Sequence, residues 1–382
     1  MSNDAEVAVV GLGTVGSMAL WRLAERGVPV HGYERFGIAN TRGASGGQTR
    51  RFAAASQSEP FKTPLALAAL ELWRALEETT GQSLLTLTGG MILGPRDTPA
   101  LVNAIRSMQD NALPHEVLDA DELHARFPEH LIRAGDTALV DGSTGFLRPE
   151  RSILSAVGAA RARGAKVHDH TRVLAVEPDG DRVCVRTADG VRRYGRVVVA
   201  PGAWAPQLLG DLGPEITPRR LTQAWYLPRD VTRYRADVFG VFERVGDVRA
   251  YGFPSVDGAT VKVGVWTRPH PVVEDLERLD QWVAQAWIDE IREVIATYLP
   301  GLHPDPTNLS THIEGYSPDQ LPVVGPSPIS ERVLIGAGFS GGGFKFAPVM
   351  GEILADYALT GATTRDLRFL RPDRFASAEP RA

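Results

Sequence analysis

Three glycines, Gly11, Gly13 and Gly16, follow the apolar run Val7 to Val10 and enclose Thr14 and Val15. That spacing, set between a β-type run and a stretch with apolar residues at Val15, Ala19, Leu20 and Leu23, commits the chain to a tight strand-to-helix turn. The first glycine permits the turn, the second lets backbone approach a pyrophosphate, and the third lets the helix pack on the strand. Unpaired N–H groups at the helix N-terminus then face the phosphates. Glu34 closes a second apolar run, Val28 to Glu34, eighteen residues past Gly16. There a carboxylate accepts hydrogen bonds from an adenosine ribose. The spacing predicts a dinucleotide-binding βαβ unit and not a plain glycine-rich turn.

Composition narrows the class further. A chain of 382 residues is long enough for two domains with a substantial core. A net charge of -5 gives no electrostatic reason to expect nucleic acid or an anionic membrane as partner. No apolar run reaches the roughly 20 residues of a membrane span, and Met1-Ser-Asn-Asp-Ala-Glu6 lacks the basic start of a secretion signal. A cytoplasmic protein is therefore expected. The single cysteine, Cys184, excludes an internal disulfide and a cysteine metal cluster, and its place in Arg182-Val-Cys-Val-Arg186 suggests a small core residue. The nine histidines are scattered, none pairs at helical metal-ligand spacing, and each is expected to be solvated or structural.

Along the chain, a polar, glycine-rich loop from Phe36 to Arg51 is long enough to suggest function. Helices are predicted over 63–78, 98–109, 149–163 and 271–298, the third opening at Pro149 and stopping at Gly164. Short β runs are predicted at 85–94, 172–176, 182–187 and 196–200, and an antiparallel sheet over 221–267. In Val261-Lys-Val-Gly-Val-Trp266 alternation puts three valines on one face and Lys262, Gly264 and Trp266 on the other. A strand at 332–338, the turn Ser340 to Gly343 and a helix over 346–359 return to α/β grammar. The chain thus leaves a nucleotide domain twice and re-enters it twice.

These stretches carry a resemblance over nearly the whole chain. The fingerprint, Gly46-Gly-Gln-Thr-Arg50, Pro64-Leu-Ala-Leu, Glu71-Leu-Trp73, Pro201-Gly-Ala-Trp204, Tyr251-Gly-Phe-Pro-Ser255, Lys262-Val-Gly264 and Gly336-Ala-Gly-Phe-Ser-Gly-Gly-Gly-Phe-Lys-Phe346 resemble flavin-dependent amine oxidases of the monomeric sarcosine oxidase and N-methyltryptophan oxidase type, within the D-amino-acid oxidase superfamily. The resemblance implies an α/β (α+β) fold, a Rossmann-type FAD-binding domain over 1–84, 145–215 and 312–382 with an inserted antiparallel-sheet substrate domain over 85–144 and 216–311. It implies oxidation of an amine to an imine and reduction of O2 to hydrogen peroxide by a monomer. It places FAD against Gly11, Gly13, Thr14, Val15, Gly16, Glu34, Arg35, Ser45, Gly46, Gln48, Thr49, Arg50, Val173, Gly202, Trp204, Gly341, Gly342, Gly343, Phe344 and Lys345. It makes Lys262 the cation for oxygen reduction, Lys345 a contact of the substrate carboxylate, Arg50 a neighbour of the flavin, and Tyr251 and Trp266 walls of the site.

Departures from the pattern bear on cofactor attachment and substrate. Sarcosine-type oxidases link FAD to a cysteine where this chain has Glu314, so non-covalent FAD is expected. The family's second carboxylate arginine corresponds to Ala53, leaving Lys345 as a single point charge unless Arg51 compensates. Trp266 and Gly342 stand where the family has histidines. An aromatic wall with fewer polar groups predicts an amine bulkier than sarcosine, such as an N-substituted or cyclic amino acid or an intermediate of secondary metabolism. An amine dehydrogenase with another electron acceptor, and a non-catalytic flavin-binding protein, are the competing readings.

Overall fold

The computed structural model describes residues 4–266, 268–278 and 281–375. Its first sheet is built on Ala5–Val10, which pairs in parallel with Val30–Tyr33 and Gly190–Val199. Lys166–His168 extends one edge. On the other side Gly190–Val199 pairs with Arg182–Thr187 and, in parallel, with Ser330–Ala337. Val7, Ala8 and Val9 are wholly buried because both faces of the sheet are covered, the condition under which a strand reads as a continuous apolar run. Helices Thr14–Glu25, Pro149–Ala162 and Ala347–Thr360 share one core with Lys62–Thr80 on one face.

The second sheet has eight strands in the order 308–316, 217–226, 261–266, 249–252, 241–244, 90–95, 136–141 and 116–118. Neighbours are antiparallel except 241–244 with 90–95. Val261, Val263 and Val265 enter a core with Tyr226, Phe242, Ile291 and Ile295, so alternation turns Lys262, Gly264 and Trp266 to the opposite face, toward the first sheet's loops. Asn308–Tyr316 pairs with Thr217–Tyr226 along its whole length and so crosses the domain boundary expected at residue 312. A third, small sheet joins Arg50–Phe52, Gly145–Leu147 and Leu85–Leu87.

Several predicted elements change in detail. The helix predicted over 271–298 forms only as Gln285–Tyr298. Pro271 and the β-branched pair Val272 and Val273 favour extended backbone, and Val272 bridges to Arg219 instead. Residues 279–280 of that span, and Thr267 at the end of the predicted sheet, lie outside the described residues. The run at 85–94 splits into Leu85–Leu87 and Gly90–Pro95 at Gly89, whose φ is +70°. The run at 172–176 shifts to Ala175–Asp179 as the first arm of a hairpin with Arg182–Thr187. Cys184 is buried, but it faces Asp179 on the side of its strand away from the core that takes Val183 and Val185. Among the described residues no helix is long and apolar enough to cross a membrane.

The tightest helix contact generates a prediction. A Cβ at Gly351 would lie 2.6 Å from the backbone carbon of Met18, so the helix Ala347–Thr360 fits against Thr14–Glu25 only with glycine there. Gly158, exposed on Pro149–Ala162, has open space around the same added atom. Gly351→Ala is expected to lower the thermal unfolding midpoint by about 2–6 °C through forced separation of the helices. Gly158→Ala should leave it equal or higher, as alanine is the better helix former. Equal effects of the two substitutions, followed by circular dichroism, would contradict this packing.

Candidate functional site

Gly16 can sit in the first helix turn only as glycine, because an added Cβ would lie 1.8 Å from the Gly11 carbonyl oxygen. The helix Thr14–Glu25 begins there without a side-chain cap, so its first N–H groups stay available to an anion. Beside it, Glu34 accepts from the N–H of Leu12 (2.9 Å) and of Phe36 (3.0 Å). Burial pushes its carboxyl upward, and hydrogen bonds from Phe36 and Leu12 oppose that. A cavity of about 240 Å³ passes these groups and continues to Arg50 and Glu314. It is lined by Gly11, Gly13, Thr14, Val15, Glu34, Arg35, Ser45, Arg50, Val173, Gly202, Trp204, Gly341, Gly343 and Phe344 among others. The helix terminus and the acid Glu34 in its lining fit a dinucleotide.

Gly46, Gln48 and Thr49 stand behind the cavity wall, in a loop held from several sides. Glu150 Oε1 accepts the N–H groups of Gly47 (2.7 Å) and Gln48 (3.0 Å). Arg50 donates to the carbonyls of Ala44, Gly46 and Thr49. Lys262 Nζ donates to Gly47 O at 2.7 Å and Thr49 O at 2.9 Å. Lys262 is therefore neither a solvent-facing edge lysine nor a residue of the cavity lining: it is 3% exposed, lies under the loop, and has Trp225 and Phe253 on its flanks. Burial, reinforced by Arg50, drives its pKa well below the usual lysine range, while Glu150 opposes.

The same sheet face carries the side chains beyond the loop. Tyr251 opposes Gly264 across the strands, and a Cβ at Gly264 would lie 2.2 Å from the tyrosine ring. The tyrosine ring sits 4.7 Å from that of Trp266, and the Trp266 Nε1–H donates to His270 Nε2 at 2.8 Å. Arg249 lies 4.7 Å from the centre of the Trp266 ring. Tyr251 and Trp266 are thus in ring contact, but neither is in the lining of the nucleotide cavity, and Arg249 and His270 make their surroundings more polar than the sequence implied. Burial pushes the Tyr251 hydroxyl up to about 12; Arg50 opposes this, while Glu314 and Glu243 add to it.

Lys345 is the middle residue of a short 3₁₀ turn, Phe344–Phe346, ahead of the helix Ala347–Thr360. Its Nζ donates to Ala53 O at 3.0 Å. Burial and then Arg51 and Lys62 lower it to about 7, with Glu243 opposing. Lys345 is absent from the lining of the nucleotide cavity, and Gly342 is exposed on the outside of its turn. Glu314 does line the cavity; its carboxyl is raised by burial, against Arg50 and a hydrogen bond from Tyr316. Its Oε2 has no hydrogen-bond partner among the described residues.

Two residues of the site escaped the sequence reading. His312, expected to be solvated or structural with the other histidines, is 2% exposed, bonds Thr41 O through Nδ1 at 3.0 Å, and is lowered to about 4 by burial, Arg50 and Lys262. Glu243 is 4% exposed and ion-paired to Arg51 at 2.9 Å. A period-2 reading of 241–244 against 249–252 would have put Glu243 beside Tyr251, the one signal available.

Comparison with known proteins agrees with this geometry. The family described as FAD dependent oxidoreductase matches residues 6–357. The monomeric sarcosine oxidase of Streptomyces avermitilis is 36% identical over 382 residues, covering 99% of this chain and all of that one. The N-methyl-L-tryptophan oxidase of Citrobacter koseri is 30% identical over 97% of this chain and 99% of its own. In fold the chain is similar to NikD, an unusual amino acid oxidase essential for nikkomycin biosynthesis, with a TM-score of 0.84 at 24% identity and coverage of 97% of this chain and 98% of NikD. The L-proline dehydrogenase of P. horikoshii gives 0.85 at 21% identity, with 98% and 99% covered. With a fingerprint helix, a ribose acid and a cavity between them that fit the cofactor, the chain belongs to the FAD-dependent oxidoreductase family.

Proposed function

We propose that this chain is an FAD-dependent oxidase that converts a primary or secondary amine or amino acid, bulkier than sarcosine, to an imine, with O2 reduced to hydrogen peroxide. One observation carries the reading: Arg50 and Glu314 line the nucleotide cavity together with Glu34, and both lie close enough to act electrostatically on Tyr251, whose ring packs on Trp266. FAD, when bound, supplies a two-electron acceptor in that cavity. The protein's part is to hold the amine beside it, which the Tyr251 and Trp266 rings do by contact area. The monomeric sarcosine oxidase of Streptomyces avermitilis supports action as a monomer, and the unremarkable charge of -5 suits a cytoplasmic enzyme of small molecules.

The dehydrogenase reading has one observation in its favour. Lys262 Nζ is already taken by two carbonyls and lies behind the loop, outside the cavity lining. Lys262→Met separates the readings by stopped flow. As the oxygen-directed cation, Lys262 makes this substitution slow reoxidation of the reduced enzyme by O2 at least about tenfold more than reduction by amine. Equal loss in both half-reactions would leave Lys262 only the task of holding the loop.

Cofactor attachment follows from Glu314 and Cys184. The cysteine lies in Arg182–Thr187, facing Asp179 and outside the cavity, so no thiol is available at the site. Acid precipitation is expected to release all flavin into the supernatant, and a pellet that stays yellow contradicts non-covalent binding. For substrate size, Trp266→Ala should lower kcat/KM for aromatic amines about 10- to 100-fold and for sarcosine less. If sarcosine proves the best of a size series, the aromatic wall does not set specificity.

A further inference from the structure

Glu277 ties three residues of the nucleotide cavity together from outside it. Its carboxylate is absent from the lining, yet it is ion-paired to Arg35 Nη2 and, at 3.6 Å, to Arg172 Nη1, and it accepts from Gln207 Nε2 at 3.3 Å. The Gln207 oxygen in turn accepts from Arg35 Nη1 at 3.4 Å and from Arg172 Nη2 at 3.3 Å, so the four side chains close a ring. Arg35, Arg172 and Gln207 all line the cavity and come from three separate segments. They stand beside Glu34: Arg35 follows it directly, and the N–H of Thr171 donates to Glu34 O at 2.8 Å.

The carboxylate belongs to a different part of the molecule from its partners. It sits in 271–278, a stretch without helix or strand that is fastened to the eight-stranded sheet. The N–H of Arg220 donates to Pro271 O at 2.8 Å and that of Val273 to Pro218 O at 2.9 Å. Farther along, Gln281 Oε1 accepts from Thr311 N at 3.0 Å. Between these fastenings Leu276 and Glu277 reach across to the loops of the first sheet. Leu276 is buried in one cluster with Ala203 and Ile313, with Trp204 packed on it, and both Ala203 and Trp204 line the cavity. The two contacts differ in kind. Leu276 is sealed from water, whereas the Arg35, Arg172 and Glu277 side chains keep 21%, 46% and 49% of their surface exposed. Ion pairs so exposed are individually weak and are screened by salt. Weakness suits a fastening that has to open.

We propose that residues 271–278 form a strap that closes the cavity beside Glu34 over bound FAD, and that Glu277 is its latch, the positioning residue whose ring with Arg35, Arg172 and Gln207 opens before the cofactor enters or leaves. The proposal rests on non-covalent FAD. Without a covalent link, retention depends on the contacts around the cofactor and on how often the protein over it opens. A latch that is equally strong with and without cofactor slows entry and exit by the same factor and leaves affinity unchanged. Charge alone predicts something else. Glu277 is an acid beside a site for a pyrophosphate, so by electrostatics its removal would tighten binding and slow release. Faster release on its removal is therefore the signature of a latch.

The test times release by exchange of the holoenzyme's FAD against an excess of radiolabelled FAD, and entry by the flavin fluorescence change on mixing FAD with the full-length apoprotein. Glu277→Gln should speed both about three- to tenfold, the scale of two exposed ion pairs, and shift Kd by less than about twofold. Release from the unaltered protein should quicken with added sodium chloride more steeply than release from the variant, because the latch itself is screened. Glu274→Gln removes the same charge from an exposed position of the same stretch and should change neither rate. Unchanged or slower release in Glu277→Gln, or an equal effect of Glu274→Gln, overturns the strap. A pellet that stays yellow after acid precipitation overturns it as well, since a linked flavin does not leave. Failure of any amine to yield peroxide would sink the oxidase reading alone, as neither rate needs turnover.

Discussion

The buried amino group of Lys262 is satisfied by the carbonyl oxygens of Gly47 and Thr49. That contact fastens the eight-stranded sheet to the loop that borders the nucleotide cavity. Leaving a buried polar head unbonded costs several kcal/mol, and more if it is charged, so sheet and loop keep one relative position. Glu150 holds the same loop through two N–H groups from the helix Pro149–Ala162, and Arg50 holds three of its carbonyls from within. A segment without regular structure is thereby made rigid next to the cavity, as a binding site on a loop requires.

Electrostatic organisation follows from that fixed frame. Arg51 and Lys345 lie within electrostatic reach of the buried acid Glu243, and Arg50 within reach of the buried acid Glu314. The acids respond differently because their neighbours differ. Glu243 has three hydrogen-bonding or ionic partners and is held low, whereas Glu314 keeps one oxygen unbonded and is pushed up. Two carboxyls at similar burial are thus shifted in opposite directions, the pattern expected where environment and not residue type sets the shift.

Much of this was legible in the sequence where a local rule applied. Gly11, Gly13, Gly16 and Glu34 act within one βαβ unit, so spacing alone located the nucleotide end of the site. Val261 to Trp266 obeyed strand alternation, so the faces of Lys262, Gly264 and Trp266 could be assigned. What the alternation could not supply was the destination of a long side chain: Lys262 reaches across more than two hundred residues of sequence separation to the loop. Glu243 and His312 were missed for the same reason, as their partners Arg51 and Thr41 lie far away in the chain. The helix predicted over 271–298 loses its N-terminal half because backbone preference at Pro271 and the following valines, and the bridge from Val272 to Arg219, prevail there.

The proposed activity requires that an amine give its electrons to a flavin held in the cavity lined by Arg50. Anaerobic mixing of the holoenzyme with a library of amines, read as loss of flavin absorbance and followed by admission of O2, tests this most directly. The expected result is bleaching by bulky amino acids and return of the yellow colour with one hydrogen peroxide per flavin. A flavin that no amine bleaches would contradict it.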